Sequence, residues 1–276
     1  MTKQSATPET HATIFSGKKF SREDIMRPAK IKKGKTRWNQ CAAAIKSIDP
    51  AILEGPILDF GSGVGYFVLE GLARGLNVWG VDILSGKIKR YHHLVDYSSS
   101  PEYWKNRCLI GDGSVLPFSS NYFAAITSWF VFEHIANPGE VIRELVRVVR
   151  PGGVIVIRAQ DARCNYEGHC KIPWIPFLSR KLAEVWVDEF GKSYSLRDGV
   201  YDITQPQIIS ILETMGCSIV KEDKPLPPLD DIFLGCHSEE NVRRAAKIVK
   251  NDFESGRFVP RQDGLYLIAQ KKRSCE

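Results

Sequence analysis

The residues whose type and spacing could do chemistry begin with Asp59, followed at alternate positions by Gly61, Gly63 and Gly65. Glycines let backbone pass close to a ligand and permit positive φ. A helical stretch opening at about Tyr66 would place free N–H groups and a positive dipole end behind them. Asp59 lies between Leu58 and Phe60, inside an apolar run, where an unpaired carboxylate is costly. A second aspartate, Asp82, ends another apolar run about 20 residues further on, where one carboxylate can accept hydrogen bonds from two vicinal ribose hydroxyls. Two histidines are candidate general bases: His134, beside Glu133, and His169, between Glu167 and Cys170. His92 and His93 fall on the solvated side of an expected helix and His237 in a loop, so they read as inert.

The elements that must hold these groups alternate. The apolar run at 57–60, just after Gly55-Pro56, predicts a buried parallel strand. Val68, Leu69, Leu72 and Ala73 follow at helical spacing. A second strand is expected over 76–83, a helix over 85–97, a short strand over 108–110 and a fourth strand over 123–128, with an exit loop over 129–135. Asn137-Pro138 is a helix start, with Val141, Ile142, Leu145, Val146 and Val149 as its buried stripe. Arg150-Pro-Gly-Gly153 should stop it before a fifth strand over 154–157. Before the glycines, Trp38, Cys41, Ile45 and Ile48 predict a helix over 37–47. Beyond 160 come a helix over 179–190 stopped by Gly191, a capping box Thr204-x-x-Gln207, a strand over 217–220, the rigid linker Pro225-Leu-Pro-Pro228, a helix capped by Ser238 and running to about 253, and a last strand over 265–269.

The glycine turn departs from the dinucleotide pattern Gly-x-Gly-x-x-Gly, because the third glycine position is Tyr66. No Gly-Lys-Ser/Thr of a phosphate-cradling loop is present either. Asp59-x-Gly-x-Gly-x-Gly65, with Asp82, Gly111-Asp112-x-x-x-Leu116-Pro-Phe118 and Glu133-His134…Arg150-Pro-Gly-Gly153, resembles class I S-adenosylmethionine-dependent methyltransferases, over about 55–158. The resemblance implies a doubly wound, mostly parallel seven-stranded sheet (a Rossmann-like methyltransferase fold) whose last strand is antiparallel. It implies S-adenosyl-L-methionine as cofactor. The matching cofactor-binding positions are Asp59, Gly61, Ser62, Gly63, Gly65, Asp82, Ile83, Asp112, Gly113 and Trp129, with Asp112 accepting from the adenine amino group. His134 and His169 are the catalytic candidates. Trp129, Phe130 and Phe132 could wall an acceptor pocket, and Trp174, Phe177 and Trp186 could roof it.

The 276 residues, 43% hydrophobic and 25% charged, fit a globular domain of ordinary composition. The expected division is a flexible basic N-terminal extension over 1–36, polar and disordered to about 17, and a methyltransferase domain over 37–276 with a substrate lid inserted over 160–200. Apolar runs are too short to span a membrane. The seven cysteines are scattered without Cys-x-x-Cys, which points to reduced thiols in the cytoplasm and to no metal site. The formal charge of +6 is concentrated early, between Lys18 and Arg37. That run reads first as a solvated segment, and its lack of interleaved aromatics weighs against nucleic acid.

The function expected is methyl transfer to an oxygen, nitrogen or carbon atom of a small or medium organic acceptor. The fourth strand continues Ser128-Trp129-Phe130-Val131 rather than Asn/Asp-Pro-Pro-Tyr/Phe, which disfavours base-amino or glutamine substrates. No Pro-Cys nucleophile occurs for cytosine C5 chemistry. One alternative is an RNA or protein methyltransferase recruited by the basic N-terminal segment. Another is a non-catalytic cofactor-binding scaffold, against which the intact Asp59, glycine turn and Asp82 argue.

Overall fold

The computed structural model describes residues 21–222, 235–259 and 264–273. The segment expected to be disordered, 1–17, and the linker Pro225-Leu-Pro-Pro228 lie outside the described residues.

The chain runs α1 (Arg22–Ile25), α2 (Pro28–Lys46), β1 (Ile57–Phe60), α3 (Tyr66–Ala73), β2 (Val78–Asp82), α4 (Ser85–Tyr97), β3 (Cys108–Ile110), β4 (Phe123–Trp129), α5 (Pro138–Val148) and β5 (Val149–Ala159). A small hairpin of β6 (Tyr166–Glu167) and β7 (Ile172–Pro173) follows, then α6 (Arg180–Glu189), α7 (Gln205–Thr214), β8 (Cys217–Glu222), α8 (Glu239–Glu254) and β9 (Leu265–Lys271). The main sheet has seven strands in the order β3-β2-β1-β4-β5-β9-β8. β1 to β5 are parallel, and β9 pairs antiparallel with both β5 and β8. The order reverses at β1 and β4, so their carboxyl ends open the crevice where open α/β sheets bind ligands.

Side chains alternate across the sheet and build two cores. Ile57, Val78, Val154 and Val156 pack on one face with Trp38, Cys41 and Ile45 of α2 and with residues of α3 and α4. Leu58, Phe60, Ile126, Ile155 and Ile157 pack on the other with α5 and α7. Asp59 shares the first face with Ile57 and is entirely buried.

Three element expectations are corrected. The helix expected from Arg37 begins at Pro28. Pro28 takes the first-turn position where its missing N–H costs nothing. A Cβ on Gly34 would lie 2.7 Å from the Tyr66 Cβ, so glycine lets α2 cross close over α3. Residues 28–36 are therefore packed helix. Second, Arg150-Pro-Gly-Gly153 does not stand between helix and strand: α5 ends at Val148 and these residues open β5. Asn137 precedes α5 without a side-chain capping bond. Third, Trp129 ends β4 rather than entering its exit loop.

The inserted region has its own core. Ile172, Trp174, Ile175, Ala183, Trp186 and Val187 pack with Val242, Ala245, Ala246 and Val249 of α8. Trp186 and Trp174 are thus core residues of this unit, not an exposed roof, and the Trp186 indole donates to the Pro173 carbonyl at 2.8 Å. Phe132 is likewise buried, against Phe60, while Phe130 and Phe177 are exposed. No helix among the described residues is long and apolar enough to cross a membrane.

Candidate active site

The glycine turn is set by the second strand. The amides of Gly61 and Ser62 both donate to the Val81 carbonyl, at 2.8 and 2.9 Å, and Gly65 N donates to the Ser62 carbonyl at 3.0 Å. Gly61, Gly63 and Gly65 all have positive φ, of 74°, 59° and 77°. Their surroundings differ. A Cβ on Gly61 would strike Val131 at 2.2 Å, and one on Gly65 would strike the Tyr91 ring at 2.3 Å. A Cβ on Gly63 would meet nothing within 4 Å. The first and third glycines are demanded by the fold, whereas the middle one faces open space.

Asp82 bridges this turn to the next element. Its Oδ2 accepts from Gly63 N at 2.7 Å and its Oδ1 from Leu84 N at 2.9 Å. Burial raises its pKa and these two amides work against that rise. Each carboxylate oxygen has a second lone pair left for another donor. Ile83, next in the chain, is 44% exposed beside it.

Asp59 is the electrostatic anomaly of the site. Neither carboxylate oxygen has a hydrogen-bond partner among the described residues. The nearest counter-charge is Arg37 of α2, whose Nη1 lies 4.0 Å from Oδ2, beyond hydrogen-bonding distance. Burial therefore lifts the Asp59 pKa to about 7, with Arg37 opposing and Asp82 adding to the rise. Beneath it, the Cys41 thiol and the Trp129 indole both donate to Thr127 Oγ1, at 3.1 and 2.6 Å. Trp129 is held by these contacts, and the Arg37 guanidinium lies 5.6 Å from its ring centre. Arg37 is the residue that sequence reasoning missed here. It was read as one of a basic run, although it stands four residues before Cys41 and so shares its helical face.

Asp112 and Gly113 follow β3. Asp112 Oδ1 accepts from Ser114 N at 2.9 Å and from Ser114 Oγ at 2.7 Å, and these bonds hold its pKa below the usual carboxylate value. The loop is fastened to α5. Glu144 Oε1 accepts from Leu116 N at 2.6 Å, and Arg147 donates to the carbonyls of Leu116 and Phe118.

The two candidate histidines, 35 positions apart, are brought together: their Nε2 atoms are 3.4 Å apart. Each ring is oriented from behind. His134 Nδ1 donates to the Gly199 carbonyl at 3.1 Å. His169 Nδ1 donates to Glu167 Oε1 at 2.7 Å. Glu167 is fully buried, and its Oε2 lies 2.7 Å from Arg197 Nε. Burial pushes the Glu167 pKa up, but His169 and Arg197 outweigh it and keep the acid ionised. Glu167 in turn raises the His169 pKa. Glu133, buried beside them, is pushed up to about 7 by burial, with His169 opposing. Because a carbonyl and a carboxylate can only accept, both Nδ1 atoms carry hydrogen, and the two facing Nε2 lone pairs have room for one shared proton. Val131, three residues before His134 in the chain, packs on Gly61. Among the described residues no group of three or more His, Cys, Asp or Glu is arranged to hold a metal ion.

Residues 58–157 match the family model described as a methyltransferase domain. The chain is 32% identical over 123 residues to demethylmenaquinone methyltransferase of Corynebacterium kroppenstedtii, covering 44% of this chain and 48% of that protein. It is 35% identical over 116 residues to ubiquinone biosynthesis O-methyltransferase of Dechloromonas aromatica, covering 40% and 47%. The match thus spans about half the length of these curated relatives. In fold it is similar to phosphoethanolamine N-methyltransferase 2 of Haemonchus contortus, solved with phosphomonomethylethanolamine and S-adenosylhomocysteine. There the TM-score is 0.53 at 19% identity, over 86% of this chain and 53% of that one.

Proposed function

We propose, from the premise that this chain belongs to the class I S-adenosylmethionine-dependent methyltransferase family, that it transfers a methyl group to a small or medium-sized organic acceptor that must lose a proton as it reacts. The observation that carries this reading is Asp59, a buried carboxyl with no hydrogen-bond partner among the described residues, beside a glycine turn whose middle residue faces empty space.

The residues present fit the cofactor. An orphaned carboxylate at the mouth of the sheet suits the methionyl ammonium, and Arg37 suits the methionyl carboxylate. Gly63 would let backbone meet the nucleoside closely, Asp82 would offer its remaining lone pairs to ribose hydroxyls, and Asp112, Gly113 and Ile83 would hold the base. When bound, S-adenosyl-L-methionine supplies a methyl group already activated on a sulfonium. The chain's own task is to hold the nucleophile in line and dry, and to take up a proton where the acceptor keeps one at neutral pH.

The histidine pair supports that last duty. A proton released by a hydroxyl or an acidic carbon would be shared between the two Nε2 atoms, with the charge stabilised by Glu167. A thioether acceptor, which has no proton to lose, would make no use of such a pair. The inserted unit supports a lid role: the carbonyl of Gly199 and the ring of His169 reach His134 from it. The quinone-pathway names of the two relatives are compatible with a hydroxyl-bearing ring, and one of them is an O-methyltransferase by name. Incubation with methyl-labelled cofactor and a panel of phenols, amines and thiols tests the reading. Label is expected in the phenols, and absence of label from every phenol, amine and thiol would overturn it.

A further inference from the structure

One cationic side chain at the carboxyl edge of the sheet is unused by this account. Arg158 stands at the end of β5, in register with Trp129 of β4 on one side and Tyr266 of β9 on the other. Asp59, Thr127, Trp129 and Arg158 occupy one continuous face of the sheet. Asp59 pairs with Thr127, Thr127 with Val156, and Trp129 with Arg158, each step keeping to the same side. The Arg158 guanidinium lies 5.5 Å from the Trp129 ring centre and 5.8 Å from that of Phe130. Arg37 approaches the same Trp129 ring at 5.6 Å. Two guanidinium groups therefore contact one indole, and the only carboxylate within ion-pair distance of either, among the described residues, is Asp59 at 4.0 Å from Arg37. Arg158 has no such partner among the described residues.

The backbone beside it is held in an unusual state. Phe130 has a φ of 58°, a region that side-chain-bearing residues seldom adopt, and its N–H donates to the Arg158 carbonyl at 2.6 Å. Phe130 is 46% exposed, with its ring against the Arg158 side chain. The outcome is a partly covered cation between an indole and a phenyl ring, one strand away from the strand that carries Thr127 and Trp129. Lys221 adds a further positive charge, 5.8 Å from the Tyr266 ring.

We propose that Arg158 anchors an anionic group of the methyl acceptor, and that the acceptor is an organic carboxylate with an apolar body resting on Trp129 and Phe130. The inference rests on the methyl-transfer reading above and specifies its substrate class. A planar guanidinium matches a carboxylate with two parallel hydrogen bonds, and Arg158, half-buried against two rings, has no carboxylate of its own among the described residues. The division of labour is then simple: Arg37 meets the anionic end of the cofactor and Arg158 that of the acceptor.

The test uses the full chain loaded with S-adenosylhomocysteine and three probes: benzoate, methyl benzoate and phenyl phosphate, titrated by calorimetry or by ligand-observed NMR. Benzoate is expected to bind saturably and the neutral ester at least tenfold more weakly. Arg158→Gln should weaken benzoate at least tenfold while leaving S-adenosylhomocysteine affinity and the melting temperature within error. Arg158→Lys should retain part of the benzoate affinity. Equal binding of acid and ester, unchanged benzoate affinity in Arg158→Gln, absence of benzoate binding at millimolar levels, or binding of phenyl phosphate alone would each overturn the proposal. Failure to hold S-adenosylhomocysteine would instead bring down the methyl-transfer reading and this inference with it.

Discussion

His134 and His169 face each other through their Nε2 atoms at 3.4 Å, each fixed from behind by an acceptor that leaves it no choice of tautomer. His134 comes from the exit of β4 and His169 from the inserted unit. The contact of that unit with the β4 exit is therefore what brings the pair together.

The first prediction concerns the shared proton. Replacing Glu167 by Gln removes the group that raises the His169 pKa, so that pKa should fall, read from imidazole nitrogen shifts in a pH titration. His169 is stabilising in its charged form below its unfolded pKa, and that contribution is lost as pH rises through its higher folded value. His169→Gln should lower turnover about a hundredfold, the scale of a general base, with S-adenosylhomocysteine affinity unchanged. An unmoved His169 titration in Glu167→Gln would remove the relay.

Asp59 should leave a thermodynamic signature. Its folded pKa of about 7 lies above the ordinary carboxylate value of 3.8, so between these limits the folded protein holds a proton that the unfolded chain has released. Stability must then fall as pH rises from 4 to 7, by up to about 1.4 kcal/mol per pH unit. Glu133 contributes with the same sign, so the comparison is with Asp59→Asn, which retains Glu133. Denaturant titrations should show a shallower slope in the variant. Cofactor affinity should rise with pH through 7 in the wild type, as the carboxylate forms, and stay flat in Asp59→Asn.

The glycines separate fold from binding. Gly61→Ala places a methyl against Val131 in addition to the strain of positive φ, and should lower the melting temperature sharply. Gly63→Ala meets no neighbour and should cost only the backbone strain of about 1–2 kcal/mol. Its methyl would nonetheless fill the space left for the ligand, so S-adenosylhomocysteine affinity should fall more than tenfold. Equal effects of the two variants on binding and stability would contradict this division.

The inserted unit should open and close as one body. Its core joins α6 to α8, so Trp186→Ala, at about 3–5 kcal/mol, should speed hydrogen exchange in 170–190 and 239–254 together while β1, β4 and β5 stay protected. Exchange confined to 170–190 would show that α8 belongs elsewhere.

The parts of this site that were legible in the sequence are those built from neighbours. Asp59, the alternate glycines and the helix behind them lie within one turn of chain, and Asp82 ends the next apolar run, so spacing alone points to them. The antiparallel last strand came only from the family resemblance. What could not be read locally are meetings between distant segments. Arg37 reaches Asp59 across α2, His169 reaches His134 from the insertion, and α8 buries its stripe on α6 although their starts are 59 positions apart in the chain. Trp174 and Trp186 were misjudged for the same reason. Their apolar surface was assigned to a ligand because the partner helix that covers it lies so far along the chain.

The central claim is that the turn after β1, with Asp82, holds the adenosyl group of a sulfonium cofactor, and calorimetric titration of the purified chain with S-adenosylhomocysteine tests it most directly. The wild type should bind saturably, and Asp82→Ala should weaken that binding by about 1–3 kcal/mol, the range for hydrogen bonds to a charged group. No heat of binding at millimolar ligand, or equal affinity in the variant, would contradict the account.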